Sequence, residues 1–157
     1  MKSQIEIERK FKVKELPGDL EKFKNQKIEQ GYLVVGQDGD EVRLRRKGEK
    51  LLMTVKGAGS LERKETEIQL TADQFAALWP LTEGRRVVKR RYEIPVGSTL
   101  IELDIYDGPL NPLVTTEVEF TSREASAAFT PPAWIGEEIT SDKRYKNRNL
   151  ALTGIPK

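Results

Sequence analysis

The chain alternates in character from its first residues. Over "IEIERKFKV" (5–13), Ile5, Ile7, Arg9 and Phe11 fall on one side of an extended backbone, and Glu6, Glu8 and Lys10 on the other. That spacing predicts a strand with one buried face. Comparable strands are expected at 27–35, 41–47, 51–56, 61–70, 85–94, 98–106 and 113–120. "GQDGD" and "GEK" read as hairpin turns on either side of the third strand. Helical spacing interrupts the strands in a few places. A short helix follows the first strand, and another spans 71–79, with Thr71 as its N-cap and Phe75 and Leu78 on one face. Ser122 is placed to cap "REASAAF", "PPAWIGEEIT" reads as an irregular link, and an amphipathic helix is expected over 141–152. Strands joined mostly by hairpins predict an α+β protein. Eight of them suit a closed antiparallel barrel with the helices outside, built as one domain over 1–157.

The polar faces of these strands are unusual. Glu6 and Glu8, Glu65 and Glu67, Glu102 and Asp104, and Glu117 and Glu119 each form an acid-x-acid pair. Arg43 and Arg45, and Lys89 and Arg91, form base-x-base pairs, while Lys10, Lys56 and Arg63 share the same charged face. Like charges two residues apart on a strand lie only about 7 Å apart and repel. A solvated sheet crossed by ion pairs, each worth about 0.2–1 kcal/mol, is one reading. Few neutral polar residues interrupt these pairs, which favours the other: a charged lumen holding a counter-charged ligand. Paired carboxylates suit a hard divalent cation, and paired Arg and Lys suit several phosphoryl groups. Together they fit a polyanion that chelates a metal.

Composition narrows the chemistry. The chain has 157 residues, 33% of them charged, with a net charge of +2, and this near-balance argues against a generic nucleic-acid binder. With neither cysteine nor histidine present, thiolate and imidazole chemistry are excluded, and any metal must take oxygen ligands, pointing to Mg²⁺, Mn²⁺ or Ca²⁺. The absence of cysteine fits a cytoplasmic protein. No apolar run reaches membrane-span length, and "MKSQIEIERK" lacks a signal-peptide core. The chain has no G-x-x-x-x-G-K-[ST] loop, so a polyanion site would have to be built from strand side chains.

The motifs resemble those of the CYTH superfamily, the triphosphate tunnel metalloenzymes. "EIERK" (6–10) matches the E-x-E-x-K signature, and "EVRLR", "MTVK", "RKETEI", "VVKRRY", "ELD", "EVEF" and "DKRYKN" follow in family order. The match is most similar to small bacterial members that hydrolyse inorganic triphosphate. The resemblance implies an eight-stranded tunnel with a divalent metal on Glu6, Glu8, Glu117 and Glu119. Glu65, Glu67 and Asp104 would serve a second metal or the attacking water. It also implies triphosphate binding by Lys10, Arg43, Arg45, Lys56, Lys89 and Arg91, with Arg63 and Lys143 added. A Lys10–Tyr32 pair, or a carboxylate-held water, would supply the base. Glu102 is expected as a lumen or rim carboxylate and not a direct ligand, and Glu41 at a strand edge. The family also contains nucleotide cyclases and hydrolases of organic triphosphates, so fold alone does not choose the substrate. A polyphosphate-binding module without turnover is a further alternative.

Overall fold

A computed structural model describes residues 7–58 and 65–157. It contains one antiparallel sheet of nine strands: β1 (Ile7–Val13), β2 (Lys24–Val35), β3 (Glu41–Lys47), β4 (Lys50–Lys56), β5 (Glu65–Gln69), β6 (Arg86–Val96), β7 (Thr99–Tyr106), β8 (Val114–Phe120) and β9 (Ile135–Glu138). Three short helices accompany it: α1 (Ala72–Leu78), α2 (Arg123–Ala128) and α3 (Asn147–Thr153). The strand order is β5-β4-β3-β2-β6-β7-β8-β1-β9. No helix among the described residues is long and apolar enough to cross a membrane.

The eight expected strands are present, but the barrel of eight is corrected to a sheet of nine. The segment read as an irregular link supplies β9, which pairs with β1 and adds an edge. The outermost strands, β5 and β9, are not paired with each other among the described residues. The sheet is nonetheless strongly curled, since β4 near one edge and β1 near the other line the same cavity.

Alternation assigns the two faces. Phe11, Ile94, Ile101, Leu103, Val118, Phe120 and Ile135 form the convex-side core, joined by Phe23, Phe129 and Trp134. Most of these residues alternate with the charged ones in sequence, so the hydrophobic effect that buries one face points the charges to the other. On the same outer side the 3₁₀ turn Trp79–Thr82 lies against β2. The approach is so close that a Cβ at Gly31 would meet Thr82 Oγ1 at 2.4 Å. Thr71 caps α1 by accepting from Gln74 N at 3.1 Å, while its own N–H donates to the Gln74 side chain at 2.9 Å. Ser122 likewise caps α2, accepting from Ala125 N.

The C-terminal segment departs from expectation. Residues 141–152 form a 3₁₀ turn at Lys143–Tyr145 and then α3, not one helix. Nor do they lie outside the sheet. Tyr145 and Leu150 join Val87, Tyr106, Leu110 and Ile139 in a second core on the concave side. The helix-outside expectation therefore fails for α3, because its apolar side chains find Val87 and Tyr106, which interrupt the charged face of β6 and β7.

Candidate active site

The concave side holds a cavity of about 530 Å³, and charged side chains dominate its walls. One wall is acidic: Glu8 of β1 faces the space with Glu117 and Glu119 of β8. The β1–β8 register puts Glu8 opposite Glu119 and Lys10 opposite Glu117, so all four share a face. The facing wall is basic, with Arg43 and Arg45 of β3 and Lys56 of β4. Arg91 stands between the two walls. Tyr32 and Glu41 complete the strand contribution, and Thr140, Asn147 and Arg148 arrive from the C-terminal segment.

The acidic wall crowds like charges into a partly buried space. Burial is the main cause that raises the Glu8 carboxyl to about 7; Glu117 and Glu119 add repulsion, and Lys10 and Arg91 offset only part of it. No three carboxylates among the described residues already converge as a ready-made metal cluster. Glu6 lies outside the described residues. The donor set of Glu8, Glu117 and Glu119 is all oxygen and is destabilised by its own charge, so its chemistry fits a hard divalent cation.

On the basic wall, two buried donor atoms of β3 stand out. Arg43 Nε and Arg45 Nε are buried without a hydrogen bond among the described residues. Burial, with Arg43 and Arg91 nearby, pulls the Arg45 guanidinium down to about 10. A polyanion would relieve both conditions.

Behind this space lies an ion network that alternation alone did not resolve. Arg91 donates from Nε and Nη2 to the two oxygens of Asp104 at 2.8 and 2.9 Å. It also donates to Glu102 at 3.1 Å and to Glu117 at 3.4 Å. Lys89 Nζ lies 2.8 Å from Asp104 Oδ2, and both side chains are fully buried. Burial would raise the Asp104 carboxyl, but Lys89 and Arg91 outweigh it and hold the group at about 2. Burial also opposes the charge on Arg91, yet its carboxylate partners leave it firmly protonated. For Lys89 burial wins, and its pKa is lowered despite Asp104.

The candidate residues therefore separate. Glu8, Lys10, Tyr32, Arg43, Arg45, Lys56, Arg91, Glu117 and Glu119 meet at one cavity. Asp104 does not present a free carboxylate, since Lys89 and Arg91 occupy both of its oxygens. Glu65 and Glu67 are exposed on the edge strand β5, opposite Lys56 and Thr54. Lys143 is exposed and is not among the residues lining the cavity. Arg63 lies outside the described residues. Lys10 Nζ donates to the Tyr145 carbonyl at 2.6 Å and lies 3.5 Å from Glu117. Burial pushes the Tyr32 phenol up to about 12, with Arg43 opposing and Glu41 adding to the rise.

Glu41 is not the edge charge that its place at the start of β3 suggests. It is buried at 5% exposure, lines the cavity, and lies 4.0 Å from Arg148. Its spacing of two from Arg43 carried that signal. Nothing in the local pattern pointed to Thr140, Asn147 or Arg148, which reach the cavity only because the C-terminal segment folds onto the concave face.

A sheet that curls around opposed carboxylate and guanidinium walls defines a polyanion-binding fold of the CYTH type. The CYTH domain model matches residues 4–151, and the chain belongs to that family. It is 52% identical over 151 residues to an inorganic triphosphatase of Nitrosomonas europaea, covering 94% of this chain and 97% of that protein. It is 34% identical over 149 residues to an inorganic triphosphatase of Acetivibrio thermocellus, covering 92% of each. A solved inorganic triphosphatase structure superposes with a TM-score of 0.80 at 47% identity, over 98% of this chain and 97% of that one. A putative adenylate cyclase from Bacillus halodurans shares the fold at 18% identity and a TM-score of 0.55, over 79% of this chain and 84% of that one.

Proposed function

We propose that this protein hydrolyses inorganic triphosphate to pyrophosphate and phosphate with the help of a divalent cation. The observation that carries this reading is the pairing of walls across one cavity, two arginines on β3 whose Nε–H groups lack a hydrogen bond among the described residues facing a crowded carboxylate cluster on β1 and β8. The names of the relatives, similar over nearly the whole chain, support the same substrate. In this reading the curled sheet acts as a tunnel around the substrate.

Arg43, Arg45 and Lys56 hold the phosphoryl oxygens and neutralise the charge that spreads over them as the anhydride bond breaks. A Mg²⁺ or Mn²⁺ held by Glu8, Glu117 and Glu119, with Glu6 in sequence position to join them, would supply Lewis-acid neutralisation of phosphate oxygens. Arg91, pinned by Asp104, keeps a fixed cation between the two walls. Lys10 serves as a charge held by Tyr145 and Glu117, and Tyr32 as a protonated hydrogen-bond donor. With its phenol pushed up to about 12, Tyr32 is not poised to accept a proton near neutral pH. Lys89 is the buried counter-ion of Asp104, 2.8 Å from its Oδ2, and is not among the residues lining the cavity.

The test is phosphate release from inorganic triphosphate, ATP and thiamine triphosphate with Mg²⁺ or Mn²⁺, for wild type and Glu8→Gln. Strong release from inorganic triphosphate that disappears in the variant is expected. Cyclic AMP and pyrophosphate from ATP would move the protein to the cyclase branch, and binding without any turnover would leave a polyphosphate-binding module.

A further inference from the structure

Gln30 is unexplained by packing. It lies on β2 between Ile28 and Tyr32, which share its face and are also buried. Its own exposure is 0%, and neither its Nε2 nor its Oε1 has a hydrogen-bond partner among the described residues. An apolar side chain of the same size would avoid the cost of stranding a donor and an acceptor there. The register puts Gln30 directly opposite Arg45 on β3, with Val87 of β6 on its other side. Arg45 lines the cavity, and its Nε is a further stranded atom at this point of the sheet. Directly opposed residues have Cβ atoms about 4.5–5.5 Å apart, so a rotamer change brings a Gln amide oxygen to an Arg Nε–H. The two groups are complementary, since an amide oxygen accepts and Nε–H only donates.

We propose that Gln30 is a positioning residue for Arg45: when triphosphate draws the terminal guanidinium nitrogens into the cavity, Gln30 Oε1 accepts from Arg45 Nε and fixes the fork. Without the anion the pair is unmade, since Gln30 Oε1 and Arg45 Nε both lack a partner among the described residues. A guanidinium gripped by phosphate through its end nitrogens needs an acceptor behind it to hold its plane. The cost of keeping an unsatisfied amide in the ligand-free protein is then the cost of a preset ligand clamp. This inference rests on the triphosphate reading above.

Gln30→Met keeps the volume and removes the acceptor. The expected result is a KM for triphosphate raised about tenfold, the scale of one hydrogen bond to a charged group, with kcat within about twofold. The thermal midpoint of the ligand-free protein stays the same or rises, because a stranded polar group has been removed. In an Arg45→Lys background the same change adds nothing further to KM. An unchanged KM, an equal KM rise in that background, or a lowered thermal midpoint overturns the proposal. A second reading compares the wild type with Gln30→Met. In the wild type, the Arg45 Nε–H signal, assigned by its loss in Arg45→Lys, becomes slow to exchange when triphosphate is added. If it exchanges as fast with triphosphate as without, Gln30 is not its acceptor. Slowing in the wild type that is lost in Gln30→Met supports Gln30, and slowing that persists in Gln30→Met assigns the acceptor to the phosphate and overturns the proposal; absence of wild-type turnover counts against the triphosphatase reading instead.

Discussion

Replacing Asp104 by Asn separates two roles for this residue, metal ligand and buried counter-ion. In the structure its carboxylate is fully buried, takes two hydrogen bonds from Arg91, and lies 2.8 Å from Lys89. The neutral amide keeps the shape and removes the charge, leaving Lys89 at 0% exposure and Arg91 at 8% with less compensation. Removing one partner from a buried ion pair costs about 3–5 kcal/mol, because the remaining charge is stranded. An independent figure comes from linkage. A carboxylate moved from 3.8 to about 2 contributes about 2 kcal/mol at neutral pH. The two figures bracket an expected loss of about 2–5 kcal/mol in urea unfolding at pH 7, with unchanged m. The sign follows from the depressed folded value: Asp104's contribution is complete above about pH 4 and is lost as pH falls through about 2. The stability gap between wild type and Asp104→Asn therefore narrows across that acid window. Added Mn²⁺ leaves the gap at pH 7 unchanged if Asp104 is a counter-ion. A loss below about 1 kcal/mol, or a gap that appears only when Mn²⁺ is present, would refute the counter-ion argument and return Asp104 to the metal-ligand set.

Other outcomes follow from the same geometry. The Glu8 carboxyl is raised to about 7, so the stability of metal-free protein that depends on it is present below 4.5 and is lost as pH rises through about 7. Binding of Mg²⁺ between those values therefore releases a proton, and calorimetry in two buffers of different ionisation enthalpy will detect it; Glu8→Gln abolishes that release, and a buffer-independent heat in the wild type would contradict the assignment. Gly31→Ala places a methyl carbon 2.4 Å from Thr82 Oγ1 and is expected to cost about 1–3 kcal/mol in thermal or urea unfolding. Trimming Thr82 to Ala in the same chain recovers part of that loss, and a Gly31→Ala protein as stable as wild type would show that the outer turn is not packed this closely. Thr71→Ala removes half of the α1 capping box and lowers stability by about 1 kcal/mol without changing triphosphate kinetics; an altered KM would place α1 in the site, against the fold described.

The alternation of apolar and charged residues was enough to place eight strands and to say which side chains share a face. Strand period is a local property, and burial of Phe11, Ile101, Leu103 and Val118 pulls every second residue the same way. Thr71 and Ser122 were legible as caps for the same reason: the partner N–H lies only three residues away. The order of acidic and basic pairs also pointed to a polyanion and to the CYTH family. What the sequence by itself left undecided lies in contacts between distant segments. Gly136 and its neighbours became β9 only because the edge of β1 was available to pair with them. Asp104 was indistinguishable from Glu117 by position in the pattern, yet β6 brings Lys89 and Arg91 against it and turns it into their counter-ion. The C-terminal helix was visible as amphipathic, but its partner surface, Val87 and Tyr106 on the concave side, was set by the curl of the whole sheet. Local periodicity is written in neighbouring residues. Which charges neutralise each other, and which are left facing the cavity, depends on cross-strand distances that only the folded sheet determines.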